Sequence, residues 1–117
     1  MTVVRLATPA DVAEIHAPFT SAETMAYAPL RFCDAADGPE LVASGFGAWD
    51  GRPVINPSGG PQAANAGGAT ALVRLAECAL QVRGLAGERQ GEGASLAVAT
   101  GQGGANQFST CTVLSSR

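Results

Sequence analysis

The spacing of hydrophobic and polar residues changes several times along the chain, and four segments predict strands. Residues 11–16 alternate in polarity, which predicts a short strand with Val12 or Ile15 facing the core. Residues 54–55 predict a second short strand that runs into a rigid, glycine-lined turn. Residues 94–100 and 111–114 predict two more strands, joined by a glycine turn at residues 101–104.

Two segments predict helices. Thr20-Ser21-Ala22-Glu23 is a capping-box pattern, in which Thr20 accepts a backbone N–H and Glu23 reaches back, and Pro29 should end the helix that follows. Apolar residues then recur with a period of 3.6 from Ala69 to Leu80, and Gly84 is placed to end that helix. One face of it holds Ala69, Leu72, Val73, Ala76, Ala79 and Leu80, and the other holds Arg74, Glu77 and Gln81.

The order of these elements is strand, helix, strand, helix and two strands, which predicts an α/β fold with a mixed sheet. Residues 34–53 between the helices carry the glycines and prolines of a surface excursion. A length of 117 residues corresponds to one domain, since most domains hold roughly 100–150 residues. The hydrophobic content of 46% supplies one modest core and excludes a disordered chain.

Charge and hydropathy narrow the classes of partner. The net charge is -3, all seven basic residues are arginine, and no basic stripe is present, so neither nucleic acid nor an anionic membrane surface is expected as a partner. The longest apolar runs fall far short of the ~20 residues of a membrane span. Residues 1–6 lack the basic-then-apolar layout of a signal peptide, which predicts a cytoplasmic protein.

The three cysteines argue against a metal centre. Cys33, Cys78 and Cys111 are far apart, odd in number and without a CxxC pair, so neither metal ligation nor a disulfide framework is expected. We interpret them as reduced, mostly buried thiols, with Cys78 and Cys111 in the core.

Three glycine-rich corners and the single histidine are the candidates for chemistry. Backbone N–H groups in such corners converge on an anion or an oxyanion, although tight turns around a sheet give the same glycine pattern. His16 stands at the end of the first predicted strand, where it either orients a water or a substrate carbonyl or serves as a structural, hydrogen-bonded histidine.

In chain order these segments resemble the C-terminal half of the thiolase family. Residues 11–19 resemble a strand and loop of the sterol-carrier-protein-type branch, whose motif there is His-Asp-x-Phe. Residues 54–60, VINPSGG, are similar to the NPSGG signature that precedes the family's Gly-His-Pro loop. The matches continue through Gly68-Ala69-Thr70, Leu75-Ala76-Glu77, the helix end QVRGLAG at 81–87 and the double glycine Gly103-Gly104. They cover about residues 8–117.

The resemblance implies one thiolase-type half, with a mixed five-stranded sheet and helices on both faces. It also implies acyl-CoA substrates, with coenzyme A as part of the substrate rather than a cofactor. His16 would orient water, Gly103 and Gly104 would supply backbone donors, and the substrate-binding set would be Asn56, Ser58, Gly59, Gly60 and Asn65. The nucleophilic cysteine of the family lies on an N-terminal-type half, which this chain would meet as a partner subunit or in an oligomer.

The chain departs from the family at two catalytic positions. Ala64-Asn65-Ala66 replaces the Gly-His-Pro loop, and Gly101 stands at the position of the second cysteine. These losses resemble the lipid-transfer or aldolase-like branch, because a retro-aldol cleavage needs no acyl-enzyme. The sequence therefore predicts an acyltransferase or retro-aldolase component that is active only in a larger assembly. The alternative is a non-catalytic assembly subunit or a truncated remnant, for which the uncovered apolar helix face would be the interaction surface.

Overall fold

The computed structural model describes residues 9–105 and 107–117. The residues on which the signal-peptide expectation rests lie outside this part of the chain. The strands are β1 (Val12–Glu14), β2 (Val54–Ile55), β3 (Leu96–Gly103) and β4 (Phe108–Ser115). The α-helices are α1 (Thr20–Tyr27), α2 (Gly38–Ala43), α3 (Gly60–Ala63) and α4 (Thr70–Val82), with 3₁₀ turns at Gly67–Ala69 and Gly87–Arg89.

The four strands form one mixed sheet in the order β2-β1-β3-β4. β1 is parallel to both of its neighbours, and β3 and β4 form an antiparallel pair over their full lengths. The α/β class and the mixed sheet are confirmed. The expected five strands are wrong for the described residues, which form four, because the fifth was implied by the family resemblance and not by any further strand pattern.

Helices cover both faces of the sheet because its central strands carry apolar side chains on both sides. On one face, Ala13, Ile15 and Val98 pack against Tyr27 of α1. The loops after α1 and α2 complete this core with Phe32 and Phe46, whose rings meet that of Tyr27 at tilted or edge-to-face angles. On the other face, the core joins sheet and α4 through Val12, Val54, Ala97, Ala99, Cys78 and Val82.

The start of α1 differs from the sequence prediction. The helix ends at Tyr27, before Pro29 as expected, but its N-cap residue is Phe19 and no side chain caps it. The carboxylate of Glu23 accepts hydrogen bonds from the Tyr27 hydroxyl at 2.7 Å and the Asn56 amide at 3.3 Å. The capping-box prediction is therefore wrong, since the Glu23 carboxylate binds Tyr27 one turn further along α1 and Asn56 of another segment instead of the helix start.

Two loop predictions also need correction. The excursion at residues 34–53 contains α2, which has Pro39 in its first turn and whose Gly38 lies against the Thr24 carbonyl. Residues 101–103 are not a turn: β3 extends to Gly103, which pairs with Phe108, because β4 begins three residues earlier than predicted. The reversal of direction falls at Gly104, where φ is +62°.

The helix α4 has the predicted length and end, but the face that packs on the sheet carries the residues expected to be polar and exposed, together with Cys78 and Val82. Arg74, Glu77 and Gln81 are buried beneath it with Cys78, whereas Leu72 and Val73 are 67% and 39% exposed. Of the apolar stripe expected from the 3.6-residue period, Ala69, Leu72, Val73 and Ala76 are exposed, whereas Ala79 and Leu80 are half-buried. No helix in the described part of the chain is long and apolar enough to cross a bilayer.

Candidate functional site

The candidate site lies where β1 and β2 end, near the start of α4. Parallel strands bring their carboxyl ends to one edge of the sheet, so the residues after β1 and β2 meet there. This edge brings His16 to the end of β3 and the 56–60 loop to Glu14 and Ile15 beside it, whereas Asn65 bonds only within the segment that leads into α4.

His16 is fixed against β3 by two hydrogen bonds. Its backbone N–H donates to the Thr100 hydroxyl at 2.8 Å. Its Nδ1 accepts the backbone N–H of Gln102 at 3.0 Å. Because Nδ1 accepts, the proton of the neutral ring sits on Nε2. The ring therefore presents Nε2–H as a hydrogen-bond donor.

The neutral form of His16 is also favoured electrostatically. Burial lowers the pKa of His16 below its ordinary value, and the nearby Arg74 guanidinium lowers it further. A neutral, oriented Nε2–H can donate to a carbonyl or water oxygen, whereas its Nδ1 lone pair is already engaged. This geometry suits a positioning or oxyanion-stabilising donor better than a general base.

The Gly103-Gly104 segment lies next to His16, because the preceding residue, Gln102, is hydrogen-bonded to the histidine ring. Gln102 donates its N–H to the histidine, and Gly103 is the last residue of β3. Gly104 adopts φ +62°, which favours glycine, and begins the turn to β4. The structure thus brings His16 and the double glycine to the same end of β3.

Gly101, at the position expected for a second catalytic cysteine, has no room for a side chain. A Cβ there would lie 2.6 Å from Thr110 Oγ1 and 2.7 Å from Ala71 Cβ. The threonine hydroxyl can rotate away, but the alanine methyl is fixed to the backbone of α4. The packing around residue 101 therefore accommodates glycine and excludes a cysteine side chain.

In the 56–60 loop, the side chain of Asn56 is engaged internally. Asn56 has φ +48°, and its Oδ1 accepts the Ile15 N–H at 2.6 Å. Its Nδ2 donates to Glu23 at 3.3 Å. The loop is thereby fastened to β1 and α1, and Asn56 positions it.

Ser58 and the two following glycines complete the same loop. The Ser58 N–H and hydroxyl donate to the two carboxylate oxygens of Glu14 at 2.9 and 2.8 Å. The Ser58 hydroxyl oxygen in turn accepts the Gly60 N–H at 3.2 Å. Gly59 has φ +89° and precedes α3, so this corner depends on glycine for its shape.

Asn65 stabilises the segment that leads into α4 through hydrogen bonds from its side chain. Its Oδ1 accepts the Gly67 N–H at 2.9 Å and the Thr70 hydroxyl at 3.0 Å. Its carbonyl oxygen is thus occupied, and its Nδ2 group is the part that can face a ligand. Asn65 itself is exposed.

The sequence interpretation missed the buried pair of Glu14 and Arg74 at this site. Both side chains are buried, at 0% and 1% exposure, and Nη1 of Arg74 lies 3.2 Å from Oε2 of Glu14. Within the described residues, Arg74 Nε and Nη1 make no hydrogen bond. Burial raises the pKa of Glu14 above its ordinary value, although the Ser58 hydrogen bonds and Arg74 oppose the shift.

A sequence signal for this pair did exist. Glu14 interrupts an apolar strand that helices cover on both faces, so its carboxylate had to find a buried partner. Arg74 is the cation on the face of α4 that is buried against the sheet. The pair links the strand, the helix and, through Ser58, the glycine-rich loop.

The thiols and acids of the described residues offer no alternative centre. No group of three or more His, Cys, Asp or Glu side chains in this part of the chain is arranged to hold a metal ion. Burial raises the pKa of Cys78 to about 12, and its thiol donates to the Val98 carbonyl at 3.4 Å. Cys111 is exposed on β4 and Cys33 is half-buried, so the expectation that Cys111 is a core thiol is wrong, because β4 lies at the sheet edge.

Comparisons with known proteins agree with this architecture. A family model described as thiolase C-terminal domain-like matches residues 6–116. Sterol carrier protein 2 of Homo sapiens is 42% identical over 89 residues, which are 75% of this chain and 16% of that protein. Acetyl-CoA acetyltransferase of Methanothermobacter thermautotrophicus is 36% identical over 95 residues, which are 80% of this chain and 25% of that protein.

A third relative is non-specific lipid-transfer protein-like 2 of Caenorhabditis elegans, which is 35% identical over 86 residues, or 71% of this chain and 21% of that protein. The chain spans a quarter or less of the length of these relatives. The match of the family model over nearly all of the chain agrees with the motif order and the mixed sheet. The chain belongs to the thiolase C-terminal domain-like family.

Proposed function

We propose that this chain is the C-terminal half of a thiolase-like enzyme that acts on acyl-CoA thioesters together with a partner half. The observation that carries the proposal is the orientation of α4, which exposes Leu72, Val73 and Ala76 while it buries Arg74 and Glu77 against the sheet. An isolated domain gains nothing by exposing Leu72 and Val73, whereas a second half packed on α4 would bury them. The relatives extend well beyond the matched segment, which supports a larger functional unit.

In the proposed site, this chain stabilises negative charge on a thioester oxygen. His16 Nε2–H and the backbone N–H of Gly104 act as donors to the enolate, and fixed donors favour charge that develops during the reaction. Gly103 positions this turn, because its register with Phe108 places its N–H in the β3–β4 ladder. Coenzyme A is part of the substrate. The substrate contact comes from Asn65 Nδ2. Asn56, Ser58, Gly59 and Gly60 shape the loop, since the N–H groups of Gly59 and Gly60 already donate to the Asn56 carbonyl and the Ser58 hydroxyl.

Retro-aldol cleavage fits these residues better than thiolysis does. In a β-hydroxyacyl-CoA, a base takes the hydroxyl proton, the bond between the α and β carbons breaks, and the β carbon leaves as an aldehyde or ketone. The enolate of the thioester then takes a proton at its α carbon and becomes the shorter acyl-CoA. No acyl-enzyme forms, so the reaction needs neither a nucleophilic cysteine on the partner half nor a second cysteine at residue 101 to act with it. The base comes from the partner half, since His16 Nδ1 is occupied by the Gln102 N–H.

The second candidate is a non-catalytic assembly subunit or a truncated remnant of a thiolase-like protein. The tight packing at Gly101 and the internal hydrogen bonds of Asn56 and Ser58 favour it, because both features stabilise the fold without requiring a substrate. In this case the chain would bind the partner half through α4 and contribute nothing to the reaction.

A reconstitution experiment tests the proposal. The chain is mixed with the part of the Methanothermobacter acetyl-CoA acetyltransferase outside the matched segment, after circular dichroism has shown that this part is folded. Complex formation is measured by light scattering, and β-hydroxyacyl-CoA cleavage and thiolysis are assayed. The proposal predicts a complex and cleavage that falls when His16 is changed to Ala. A complex without His16-dependent activity supports the assembly subunit, and the absence of both contradicts the two proposals.

A matched pair of variants controls the reconstitution. Leu72→Glu places a charge on the outward stripe and should abolish the complex. Arg83→Glu changes an exposed residue just after α4 and should leave the complex intact. Loss of the complex with both variants would show that general charge, and not the apolar stripe, controls binding.

A further inference from the structure

The open edge of β4 has a defined hydrogen-bonding pattern. Ser116 donates its N–H to the Ser95 carbonyl at 3.0 Å, so residues 95 and 116 form a hydrogen-bonded pair. Antiparallel ladders alternate hydrogen-bonded and non-bonded pairs, so Leu114 and Thr112 also bond to β3. The backbone groups of the intervening residues point away from the sheet. These residues are Ser109, Cys111, Val113 and Ser115.

This edge lacks the usual protection of an edge strand. Natural sheets blunt their edges with charges, prolines or short strands. The strand Phe108–Ser115 reads FSTCTVLS, without a charge or a proline, and seven of its eight residues are exposed. Among the described residues, β3 is the only strand paired with it. An uncharged edge of this length favours pairing with another strand.

We propose that β4 pairs in antiparallel fashion with β4 of a second copy of this chain. A two-fold axis at Thr112 brings each outward residue opposite another outward residue, 109 opposite 115 and 111 opposite 113. All four outward residues of each strand then bond, whereas an axis at Cys111 leaves Ser115 unused. Registers that oppose outward and inward residues form no ladder.

The side chains accept this register. On one face Cys111 lies opposite Val113 of the second copy, and on the other Thr110 lies opposite Leu114 of the second copy. Thr112 faces itself across the axis. No charged side chain of the strand meets its equivalent, so the pairing incurs no repulsion between like charges. A second copy therefore pairs with all of the outward backbone groups of this edge and brings no like charges together.

The proposed dimer is independent of the acyl-CoA chemistry and of α4. The sheet edge and the outward stripe of α4 are different surfaces, so one chain can pair through β4 and bind a partner half through α4. Two variants separate the surfaces. Cys111→Lys places a charge opposite Val113 of the second copy, and Ala76→Glu places a charge on the outward stripe.

Disulfide trapping tests the register. In a Cys33→Ser, Cys111→Ser background, Thr112→Cys should form a cross-linked dimer with oxidised glutathione, because a non-bonded antiparallel pair has Cα atoms about 4.5 Å apart. Ser109→Cys in the same background is the control, since its equivalents would be separated by about 20 Å along the strands. Trapping at 109 and not at 112 would overturn the proposal.

Sedimentation of the full chain over a range of concentrations provides the second test. The expected result is a reversible dimer that weakens at least tenfold with Cys111→Lys and is unchanged with Ala76→Glu. A monomer at every concentration overturns the proposal. So does a dimer that Ala76→Glu abolishes, which would assign the contact to α4. A chain that stays monomeric until the acetyltransferase fragment is added, and then loses binding with Cys111→Lys, would assign the edge to a foreign strand and overturn the proposal.

Discussion

Ala71 lies so close to Gly101 that a Cβ on residue 101 would come 2.7 Å from the alanine methyl carbon. The two residues belong to α4 and β3, whose separation is fixed by the core between them. The backbone of Gly101 is not left-handed, so the requirement for glycine here comes from space and not from φ. One helix residue thus determines which side chains the strand can carry at the candidate site.

Gly101→Cys should destabilise the chain by about 1–3 kcal/mol, the usual cost of overpacking. Ala71→Gly should restore part of this loss in the double variant, less the ~1 kcal/mol that glycine costs inside a helix. Urea unfolding measures both effects. Gly103→Cys is the control, because its Cβ would meet nothing closer than Phe108 Cβ at 3.8 Å. Equal stability of the 101 and 103 variants would contradict the packing argument.

His16 should make the stability depend on pH. Burial and Arg74 lower its pKa in the folded state, so between that value and the unfolded value of 6.5 the unfolded chain binds more protons. The contribution of His16 to stability is therefore complete above the unfolded pKa and is lost as the pH falls towards the folded one.

Unfolding free energies of the wild type and His16→Gln, measured from pH 8 to pH 5, check this prediction. Glutamine Oε1 can still accept the Gln102 N–H but does not titrate. The difference between the two proteins should shrink or change sign below pH 6.5. Parallel curves would contradict a lowered pKa.

The sequence predicted the elements well because their signals are local. The period of α4, its end at Gly84, the strand at Val54 and the end of α1 before Pro29 all follow from neighbouring residues. The turn at residues 101–104 failed because strand pairing with residues 108–110 extended β3 through its glycines. The predicted role of Glu23 was wrong because its carboxylate bonds to Tyr27, four residues on in α1, and to Asn56, which the fold brings from 33 residues away.

At the candidate site, too, the sequence predicted the features set by neighbouring residues and missed those set by tertiary contacts. His16 was identifiable as the single histidine after a strand, but its tautomer follows from the Gln102 N–H, which the fold brings from 86 residues away. Arg74 and Glu77 looked like solvent-facing residues because polarity alone does not show which face of a helix packs. Their burial depends on Glu14 and Arg89, which lie on other segments.

The Glu14–Arg74 pair should respond unequally to loss of either partner. Glu14→Gln leaves a buried guanidinium without its counter-charge, and such a loss costs about 3–5 kcal/mol. Arg74→Met should cost less, because the raised pKa of Glu14 allows the carboxyl to take a proton. The double variant should lose less unfolding free energy than the two single variants lose together. Denaturant unfolding of the four proteins measures the coupling, and strict additivity would contradict the pair.

The orientation of α4 predicts how much stability a substitution costs on each of its two faces. Leu72→Glu adds a charge to the apolar stripe, yet it should change stability by no more than about 0.5 kcal/mol, because Leu72 is 67% exposed. Glu77→Leu makes the polar face more apolar, yet it should cost about 1–3 kcal/mol. It removes an acceptor from Gln81 Nε2 at 3.0 Å and the three hydrogen bonds that Arg89 donates to the carboxylate.

Thermal and urea unfolding of these two variants provide the measurement, with Ala76→Glu as a second outward control. If Leu72→Glu proved more damaging than Glu77→Leu, the helix would have to pack through its apolar stripe. The charged cluster would then face solvent, and the surface proposed for the partner half would already be covered by the sheet.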